Sequence, residues 1–151
     1  MPPSLTATPS RYGESAPARA GAHWGEHGTW HWRGHSCHWR VLGDRRDPAL
    51  VLIHGFGAAS GHWRHNAAGL ARAGWCVYAI DLLGFGASSQ PGHHHRSPLD
   101  NRLWARQLQA FLEEVVEAPA VLVGNSLGSL VALTCAVFFP AWVQAVVAAP
   151  L

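Results

Sequence analysis

Apolar and polar residues alternate strictly on either side of Gly34. Residues 30–33 are Trp-His-Trp-Arg, and residues 37–41 are Cys-His-Trp-Arg-Val. Alternation with a period of two is typical of strands that bury one face. The pattern therefore predicts a β-hairpin that turns at Gly34, with tryptophans facing inward and His and Arg side chains facing outward.

Four short, continuous apolar runs follow the hairpin, at residues 50–53, 76–80, 120–123 and 143–148. Runs of this length are typical of strands that are buried on both faces. The intervening segments predict three helices, which run from Ser60 to about Ala73, from Asp100 to Val116 and from Leu127 to Phe139, with Ser60 and Asp100 as N-caps. Strands and helices that alternate in this way predict an α/β fold with a mostly parallel sheet covered on both faces.

Composition limits the class of protein further. The chain has 151 residues, of which 48% are hydrophobic and 13% charged, so one domain with a substantial core is expected. A net charge of +2 is too small to indicate a nucleic-acid binder. Residues 1–22 are rich in Pro, Ser and Ala and predict a disordered N-terminus, which leaves residues 23–151 as the folded domain.

Two features bear on the compartment. Cys37, Cys76 and Cys135 are far apart and form no CxxC pair, which predicts buried, reduced thiols in a cytoplasmic protein, or a plastid one if the source is eukaryotic. No charged residue follows Glu117, but Pro140 interrupts this apolar stretch. A buried helix and strand therefore explain it better than stable membrane insertion.

The strongest chemical motif is Gly124-Asn125-Ser126-Leu127-Gly128, a G-x-S-x-G between a predicted strand and a predicted helix. A serine at such a turn is held in a strained conformation that exposes its hydroxyl above the strand ends. Glycines flank it because a Cβ at either position would collide across the turn. The motif predicts Ser126 as a nucleophile, and the alternative is a helix-capping serine.

A second motif, His54-Gly55-Phe56-Gly57, follows the first buried strand. A serine that attacks a carbonyl needs hydrogen-bond donors for the developing oxyanion. The backbone N–H groups of Leu127 and Phe56 are the expected donors, because the loop after this strand can lie beside the elbow. The alternative is an ordinary glycine-rich connection between a strand and a helix.

The segment from Asp81 to Ser88 follows the second buried strand, and we expect Asp81 and Ser88 to tie this loop by hydrogen bonds rather than to act in catalysis. Together the three motifs resemble the α/β-hydrolase superfamily from about His27 onward. The amino-acid sequence of residues 50–66 and 78–88 resembles that of cyanobacterial and plastid hydrolases related to pheophytinase. In this superfamily, epoxide hydrolases and haloalkane dehalogenases carry an aspartate nucleophile, so Ser126 implies an esterase, lipase, thioesterase or C–C bond hydrolase.

The resemblance also implies what this chain lacks. The superfamily places its catalytic acid and histidine beyond the strand that ends near Ala148, so we expect the N-terminal portion of the fold and an inactive chain by itself. His54 corresponds to a structural residue of the family. We expect a hydrophobic small molecule as the substrate, which the apolar residues near the loops (Phe56, Leu82, Leu83 and Phe85) permit. No metal or organic cofactor is expected.

Other interpretations remain open at this stage. One is a non-catalytic truncated remnant or fragment, and another is a dinucleotide-binding module suggested by Gly55-x-Gly57, although position 60 is Ser where that motif needs a glycine. Histidines at positions 23, 27, 31 and 35, and the run at 93–95, are more consistent with solvated side chains than with a metal site. The last strand is expected to leave an apolar edge through which copies self-associate.

Overall fold

A computed structural model describes residues 23–92 and 98–150. The expectations for residues 1–22 and for the histidine run at 93–95 lie outside this part. The strands are β1 (Glu26–Trp32), β2 (His35–Leu42), β3 (Ala49–Ile53), β4 (Cys76–Ile80), β5 (Ala120–Asn125) and β6 (Val143–Ala149). The helices are α1 (Ala67–Arg72), α2 (Asn101–Phe111) and α3 (Leu127–Phe138), with 3-10 turns at Ser60–His65 and Pro140–Trp142 and a π turn at Leu112–Val116.

The six strands form one sheet in the order β1-β2-β4-β3-β5-β6. The hairpin β1–β2 is antiparallel and joins β4 in antiparallel fashion, whereas β4, β3, β5 and β6 run parallel. Ile53 at the end of β3 pairs with Ile80 on one side and Gly124 on the other. The ends of the three central strands therefore lie side by side, and the α/β architecture predicted from the sequence is confirmed.

Helices cover the two faces of the sheet unequally. Helices α2 and α3 pack on one face, where Phe111 lies 5.9–6.2 Å, ring to ring, from Trp30, Trp39 and Tyr78. Helix α1 packs on the other face against a smaller cluster that includes Leu52. The apolar side chains of β5 and β6 are less completely covered on the α1 face than on the α3 face.

The hairpin follows the predicted pattern with one exception. Trp30, Trp32 and Trp39 are buried, and His31 is exposed, as expected. Arg40 was expected to face solvent but is only 8% exposed. Its guanidinium donates hydrogen bonds to the Ser60 hydroxyl and the Trp24 carbonyl, and these bonds compensate for the loss of hydration.

The predicted helix from Ser60 to Ala73 is broken into two pieces. A 3-10 turn covers Ser60–His65, and α1 begins only at Ala67. Ser60 is not the cap: its hydroxyl accepts from Arg40, and its N–H donates to Asp81 at 2.6 Å. The prediction of the cap was wrong because a long-range buried network uses the groups that a local cap would need.

The other two helices begin at or next to the predicted residues. The Asp100 carboxylate accepts from the N–H groups of Arg102 and Leu103, so it caps α2. After Phe111 the helix widens into the π turn and ends at Glu117, whose φ of +58° is left-handed. None of the helices among the described residues is long and apolar enough to cross a membrane.

Strand β6 departs from its prediction as a strand buried on both faces. Each of its residues is half-buried or exposed, and Val147 is 54% exposed. Within the described residues β6 lies at an edge of the sheet, beside β5 alone. A continuous apolar run alone does not distinguish an edge strand from a central one, but the edge position agrees with the expectation that the last strand leaves an apolar edge. Self-association through this edge stays a prediction.

Candidate active site

Ser126 occupies the sharp turn between β5 and α3. Its φ of +53° and ψ of −117° lie in a region that residues with a Cβ rarely adopt. The side chain makes no capping hydrogen bond to the helix that follows. The geometry therefore corresponds to the strained elbow predicted from the motif rather than to a helix-capping serine.

Close backbone contacts on both sides explain the two elbow glycines. A Cβ on Gly124 would collide with the backbone of Gly128 and Ser129. A Cβ on Gly128 would collide with the carbonyls of Ile53 and His54, at the end of the neighbouring strand β3. Only glycine allows α3 to begin this close to β3, as expected from the sequence.

The loop after β3 lies directly beside the elbow. A Cβ built on Gly55 would be 3.2 Å from the Asn125 carbonyl oxygen and 3.4 Å from the Ser126 Cβ. A turn closes there, since the N–H of Ala58 donates to the Gly55 carbonyl at 3.2 Å. Gly57 has a φ of +72°, which favours glycine at this point of the loop.

Gly55, which precedes Phe56, thus lies beside the turn that precedes Leu127, and this agrees with the two expected oxyanion donors. Phe56 lies within the loop, and Leu127 is the first residue of α3, whose first-turn N–H groups have no acceptor within the helix. The positive end of the helix dipole also favours a negative charge beside Ser126. The arrangement can stabilise an oxyanion formed by attack of Ser126 on a carbonyl.

His54 is fully buried and structural. The Leu82 N–H donates to its Nε2 at 3.0 Å, so Nδ1 carries the proton and donates to the Gly55 carbonyl at 2.7 Å. Burial lowers the pKa of His54, and the hydrogen bond to Gly55 only partly opposes this effect. The imidazole is therefore neutral and engaged at both nitrogens, and it holds the oxyanion loop against the loop after β4.

Asp81 organises the loop that follows β4. Its carboxylate accepts hydrogen bonds from His38 Nδ1 and from the N–H groups of Ser60 and Ala87, at 2.6–3.0 Å. Burial alone would raise the pKa of Asp81, but these hydrogen bonds outweigh it and hold the pKa well below its usual value. The Ser88 hydroxyl donates to the Asp81 carbonyl, so Asp81 and Ser88 tie the loop as predicted.

Two buried polar residues support the site although the sequence analysis assigned them no role. Gln107 accepts from the Leu83 N–H and donates to the Asp81 carbonyl. The Ser129 hydroxyl lies 2.8 Å from the carbonyl oxygens of both Gly124 and Ala149. The signal for Gln107 was present, because this polar residue lies on the apolar side of the predicted helix.

Apolar surface lies beside Ser126 among the residues that the structure describes. Phe56 is 80% exposed and packs edge-on against Phe85 at 5.4 Å, whereas Leu82 and Leu83 are fully buried and do not line a site. Within residues 23–92 and 98–150, no imidazole forms a hydrogen bond with the Ser126 hydroxyl.

The metal-ligating and thiol side chains of the described residues are the remaining candidates for a site. The described part of the chain has no cluster of three His, Cys, Asp or Glu side chains that could hold a metal ion. The three cysteines are free and buried, as predicted. Burial raises the pKa of Cys37 to about 11 and that of Cys135 to about 12, so both thiols are protonated at neutral pH.

Comparison with known proteins identifies related chains. The family model described as the alpha/beta hydrolase fold matches residues 48–149. Mouse bifunctional epoxide hydrolase 2 is 34% identical over 99 residues, which are 66% of this chain and 18% of that protein. Pimeloyl-[acyl-carrier protein] methyl ester esterase of Vibrio parahaemolyticus is 34% identical over 105 residues, which are 70% of this chain and 36% of the esterase.

A solved structure agrees with this relationship. Epoxide hydrolase A from Mycobacterium thermoresistibile superposes with a TM-score of 0.74 at 30% identity, over 82% of this chain and 38% of that one. The chain thus spans less than two fifths of the length of each of these three relatives.

Proposed function

The chain belongs to the α/β-hydrolase family, and on this premise we propose that it is the nucleophile-bearing part of a serine hydrolase that cleaves an ester or related acyl bond. Ser126 is the nucleophile in this proposal. The backbone N–H groups of Leu127 and Phe56 stabilise the oxyanion. Gly124, Gly128 and the loop at residues 54–57 bring these groups together.

The observation that carries the proposal is the left-handed backbone of Ser126 at the junction of β5 and α3. Such strain costs of the order of 1–3 kcal/mol and persists where the surrounding structure enforces it. Here the enforcing contacts are those at Gly124 and Gly128, which glycine alone accommodates. A purely structural turn would not need this geometry, whereas an exposed nucleophile beside oxyanion donors does.

The chemistry of serine favours an acyl substrate over an epoxide, although several relatives are named epoxide hydrolases. A serine oxygen that opened an epoxide would become an ether, which has no carbonyl for water to attack. Attack on an ester instead gives an acyl-serine, and water then releases the acid and restores the hydroxyl. Turnover with Ser126 therefore requires a substrate with an acyl carbonyl.

The substrate class is a hydrophobic ester, supported by the exposed Phe56 ring on Phe85 beside the elbow. The resemblance of residues 50–66 and 78–88 to relatives of pheophytinase favours an alcohol with a long alkyl chain. A cytoplasmic or plastid location is part of the same proposal, because the three free, buried thiols suit a reducing compartment.

The first experiment tests the elbow without requiring a general base. In a Ser126→Cys variant, the start of α3 should lower the thiol pKa below about 8.5, the value for a free cysteine. The pH dependence of alkylation by iodoacetamide measures this pKa, and the buried native thiols contribute little. Leu133→Cys, at an exposed position further along α3, is the matched control and should titrate normally.

The same variant tests acyl transfer. Ser126→Cys should release about one equivalent of p-nitrophenolate from p-nitrophenyl acetate, because a thiolate attacks without a separate base. The Leu133→Cys control should react far more slowly, since it lacks oxyanion donors. If the two variants react equally, Ser126 does not face an oxyanion site and the non-catalytic alternative is correct.

The wild-type chain tests the expectation that these 151 residues are inactive by themselves. Loss of the base from a catalytic triad typically lowers kcat by a factor of about 10⁴ or more. We therefore expect no hydrolysis of p-nitrophenyl esters that depends on Ser126. If the wild-type chain hydrolyses the ester and Ser126→Ala does not, Ser126 is supported as the nucleophile. The expectation of an inactive chain would then be wrong, and a histidine within the chain would serve as the base.

A further inference from the structure

A series of hydrogen bonds runs from helix α2 through the protein interior to the oxyanion loop. At its start, the Gln107 Nε2–H donates to the Asp81 carbonyl at 3.2 Å. The Leu82 N–H belongs to the same peptide group as that carbonyl and donates to His54 Nε2 at 3.0 Å. The His54 Nδ1–H then donates to the Gly55 carbonyl at 2.7 Å. In this series, here called the relay, every donor is on the α2 side of its acceptor.

The relay ends at the peptide group that supplies one of the expected oxyanion donors. The Gly55 carbonyl and the Phe56 N–H belong to one planar trans peptide, so they point in opposite directions. The Ala58 N–H is a second donor to the same carbonyl, at 3.2 Å. Two donors thus hold the carbonyl oxygen in place, and because the peptide is rigid they also fix the direction of the Phe56 N–H.

Only one neutral form of His54 completes the relay. Its Nε2 must be bare to accept from the Leu82 N–H, so the proton lies on Nδ1 and is donated to the Gly55 carbonyl. The other tautomer would place two N–H groups against each other and a bare nitrogen against a carbonyl oxygen. Burial lowers the pKa of His54, which keeps the ring neutral at pH 7. The imidazole therefore connects two peptide groups and does not serve as a base.

The side-chain amide of Gln107 has one orientation that satisfies its neighbours. Its Oε1 accepts from the Leu83 N–H at 2.9 Å, which leaves Nε2 to donate to the Asp81 carbonyl. Gln107, Leu82 and His54 are fully buried, so these hydrogen bonds form away from water. Gln107 thereby fixes two consecutive peptide groups, and the first of them holds the His54 ring.

We propose that Gln107 is a positioning residue for acyl transfer, which acts through the relay to direct the Phe56 N–H and to strengthen it as an oxyanion donor. Hydrogen bonds in series polarise one another, and this effect is larger in a buried site than in water. A carbonyl that accepts a hydrogen bond makes the N–H of its own peptide a better donor, and the relay contains two such peptides. The proposal rests on the proposed function for the oxyanion, whereas the relay itself rests on the hydrogen bonds alone.

Two reactions of one nucleophile separate this role from a purely structural one. In Ser126→Cys, p-nitrophenyl acetate acylates the thiolate through an oxyanion, whereas iodoacetamide alkylates it by loss of iodide and forms no oxyanion. Adding Gln107→Met should lower the acylation rate about tenfold, since outright loss of a donor costs about 10²–10³-fold. The alkylation rate should change less than about twofold. Gln109→Met is the matched control on the same helix, where Gln109 bonds only to the Glu113 side chain among the printed partners of its amide, and it should change neither rate.

Gln107→Glu tests the direction of the hydrogen bonds by rescue. A protonated carboxyl accepts from the Leu83 N–H and donates to the Asp81 carbonyl as the amide does, whereas a carboxylate only accepts. Relative to Ser126→Cys alone, the ratio of acylation to alkylation in Gln107→Glu should be unchanged at low pH. It should fall toward that of Gln107→Met as the pH rises and the new carboxyl ionises. A glutamine with a purely structural role would give no such pH dependence, and this variant keeps the test available if Gln107→Met folds poorly.

Nuclear magnetic resonance tests the relay independently of acyl transfer and with Ser126 intact. In ¹⁵N spectra of the wild-type chain, Nδ1 of His54 should carry a proton and Nε2 should not. Gln107→Met should shift the amide protons of Leu82 and Phe56 upfield, because each N–H becomes less polarised. Gln109→Met should leave both amide shifts unchanged.

Three results would overturn the proposal. One is an equal loss of acylation and alkylation in Gln107→Met, which would make Gln107 a support of the fold only. Another is a proton on His54 Nε2, or amide shifts of Leu82 and Phe56 that do not respond to Gln107→Met. The third is acylation of Ser126→Cys no faster than that of Leu133→Cys while the amide shifts respond as expected. In that case the proposed function fails, and the relay remains as hydrogen bonding without a role in acyl transfer.

Discussion

Replacing Gly128 with alanine tests how the elbow packs against the strand that carries the oxyanion loop. The new Cβ would collide with the Ile53 carbonyl and lie 2.7 Å from the His54 carbonyl oxygen, whereas ordinary contact begins at 3.4 Å. Both neighbours are backbone atoms and cannot rotate away. Relief of the His54 contact alone requires the end of β3 to move about 0.7 Å away from α3, and the closer Ile53 carbonyl requires more, because repulsion rises steeply below van der Waals contact.

Two opposing effects determine how much Gly128→Ala changes the free energy of unfolding. Alanine is favoured over glycine within a helix by about 1 kcal/mol. Overpacking costs about 1–3 kcal/mol, and collision with backbone places this substitution at the upper end of that range. We expect a net loss of about 2 kcal/mol of unfolding free energy, which lowers Tm by about 4–8 °C in a chain of this size.

Urea unfolding of Gly128→Ala and of the control Gly69→Ala measures this difference. Gly69 lies within α1, and the nearest heavy atom to its added Cβ is 4.0 Å away, in the Arg72 side chain. Gly69→Ala should therefore stabilise the protein by up to about 1 kcal/mol. Two results together would show that the elbow does not pack against β3 as described. One is an unfolding free energy of Gly128→Ala equal to that of Gly69→Ala. The other is an unchanged pKa of the thiol at position 126 when Ser126→Cys is combined with Gly128→Ala.

Three further predictions follow from the same geometry. Ser126→Gly should raise the unfolding free energy by about 1 kcal/mol because it relieves left-handed strain, whereas Ser126→Ala should not, and urea unfolding distinguishes them. The pKa of His54 is lowered in the folded state, so its contribution to the unfolding free energy is present above pH 6.5 and is lost as the pH falls below that value. His54→Gln should therefore make the unfolding free energy depend less on pH. If the slope of the unfolding free energy between pH 7.5 and 5 is the same in His54→Gln and the wild type, His54 is not buried as a neutral imidazole. Finally, self-association through β6 is expected to decrease in Val147→Lys but not in His31→Lys on β1, as measured by sedimentation velocity, because a lysine on an edge strand blocks pairing between sheets.

The sequence could predict the fold because its signals are local. Short apolar runs separated by helix-length segments indicate parallel strands wherever they occur, and G-x-S-x-G becomes specific once it lies between a strand and a helix. The glycines at positions 124 and 128 carry this information directly. A side chain on Gly124 would collide with backbone atoms a few residues later in the chain, and one on Gly128 would collide with backbone atoms of the adjacent strand. The two glycines of the motif therefore indicate these close contacts in the sequence itself.

The parts that the sequence could not predict depend on distant partners. Arg40 is buried because Ser60 and Trp24 lie beside it, and its position in the alternating hairpin gives no sign of them. Ser60 fails as a cap for the same reason, since its hydroxyl accepts a hydrogen bond from Arg40 instead of from the helix. In each case a long-range contact overrides a local preference.

The buried polar network explains why the oxyanion loop can be rigid independently of any base. His54 joins the loop after β3 to the Leu82 N–H, and Gln107 anchors the adjacent Leu83 N–H to α2. Asp81 then connects the same segment to the hairpin through His38. Buried groups satisfied on every side are costly to move, so the loop is held by residues that never contact a substrate. In the proposed function, the groups that stabilise the oxyanion are therefore positioned separately from the step that removes the serine proton. We therefore expect a cysteine at position 126 to reveal the site even where the wild-type serine shows no turnover.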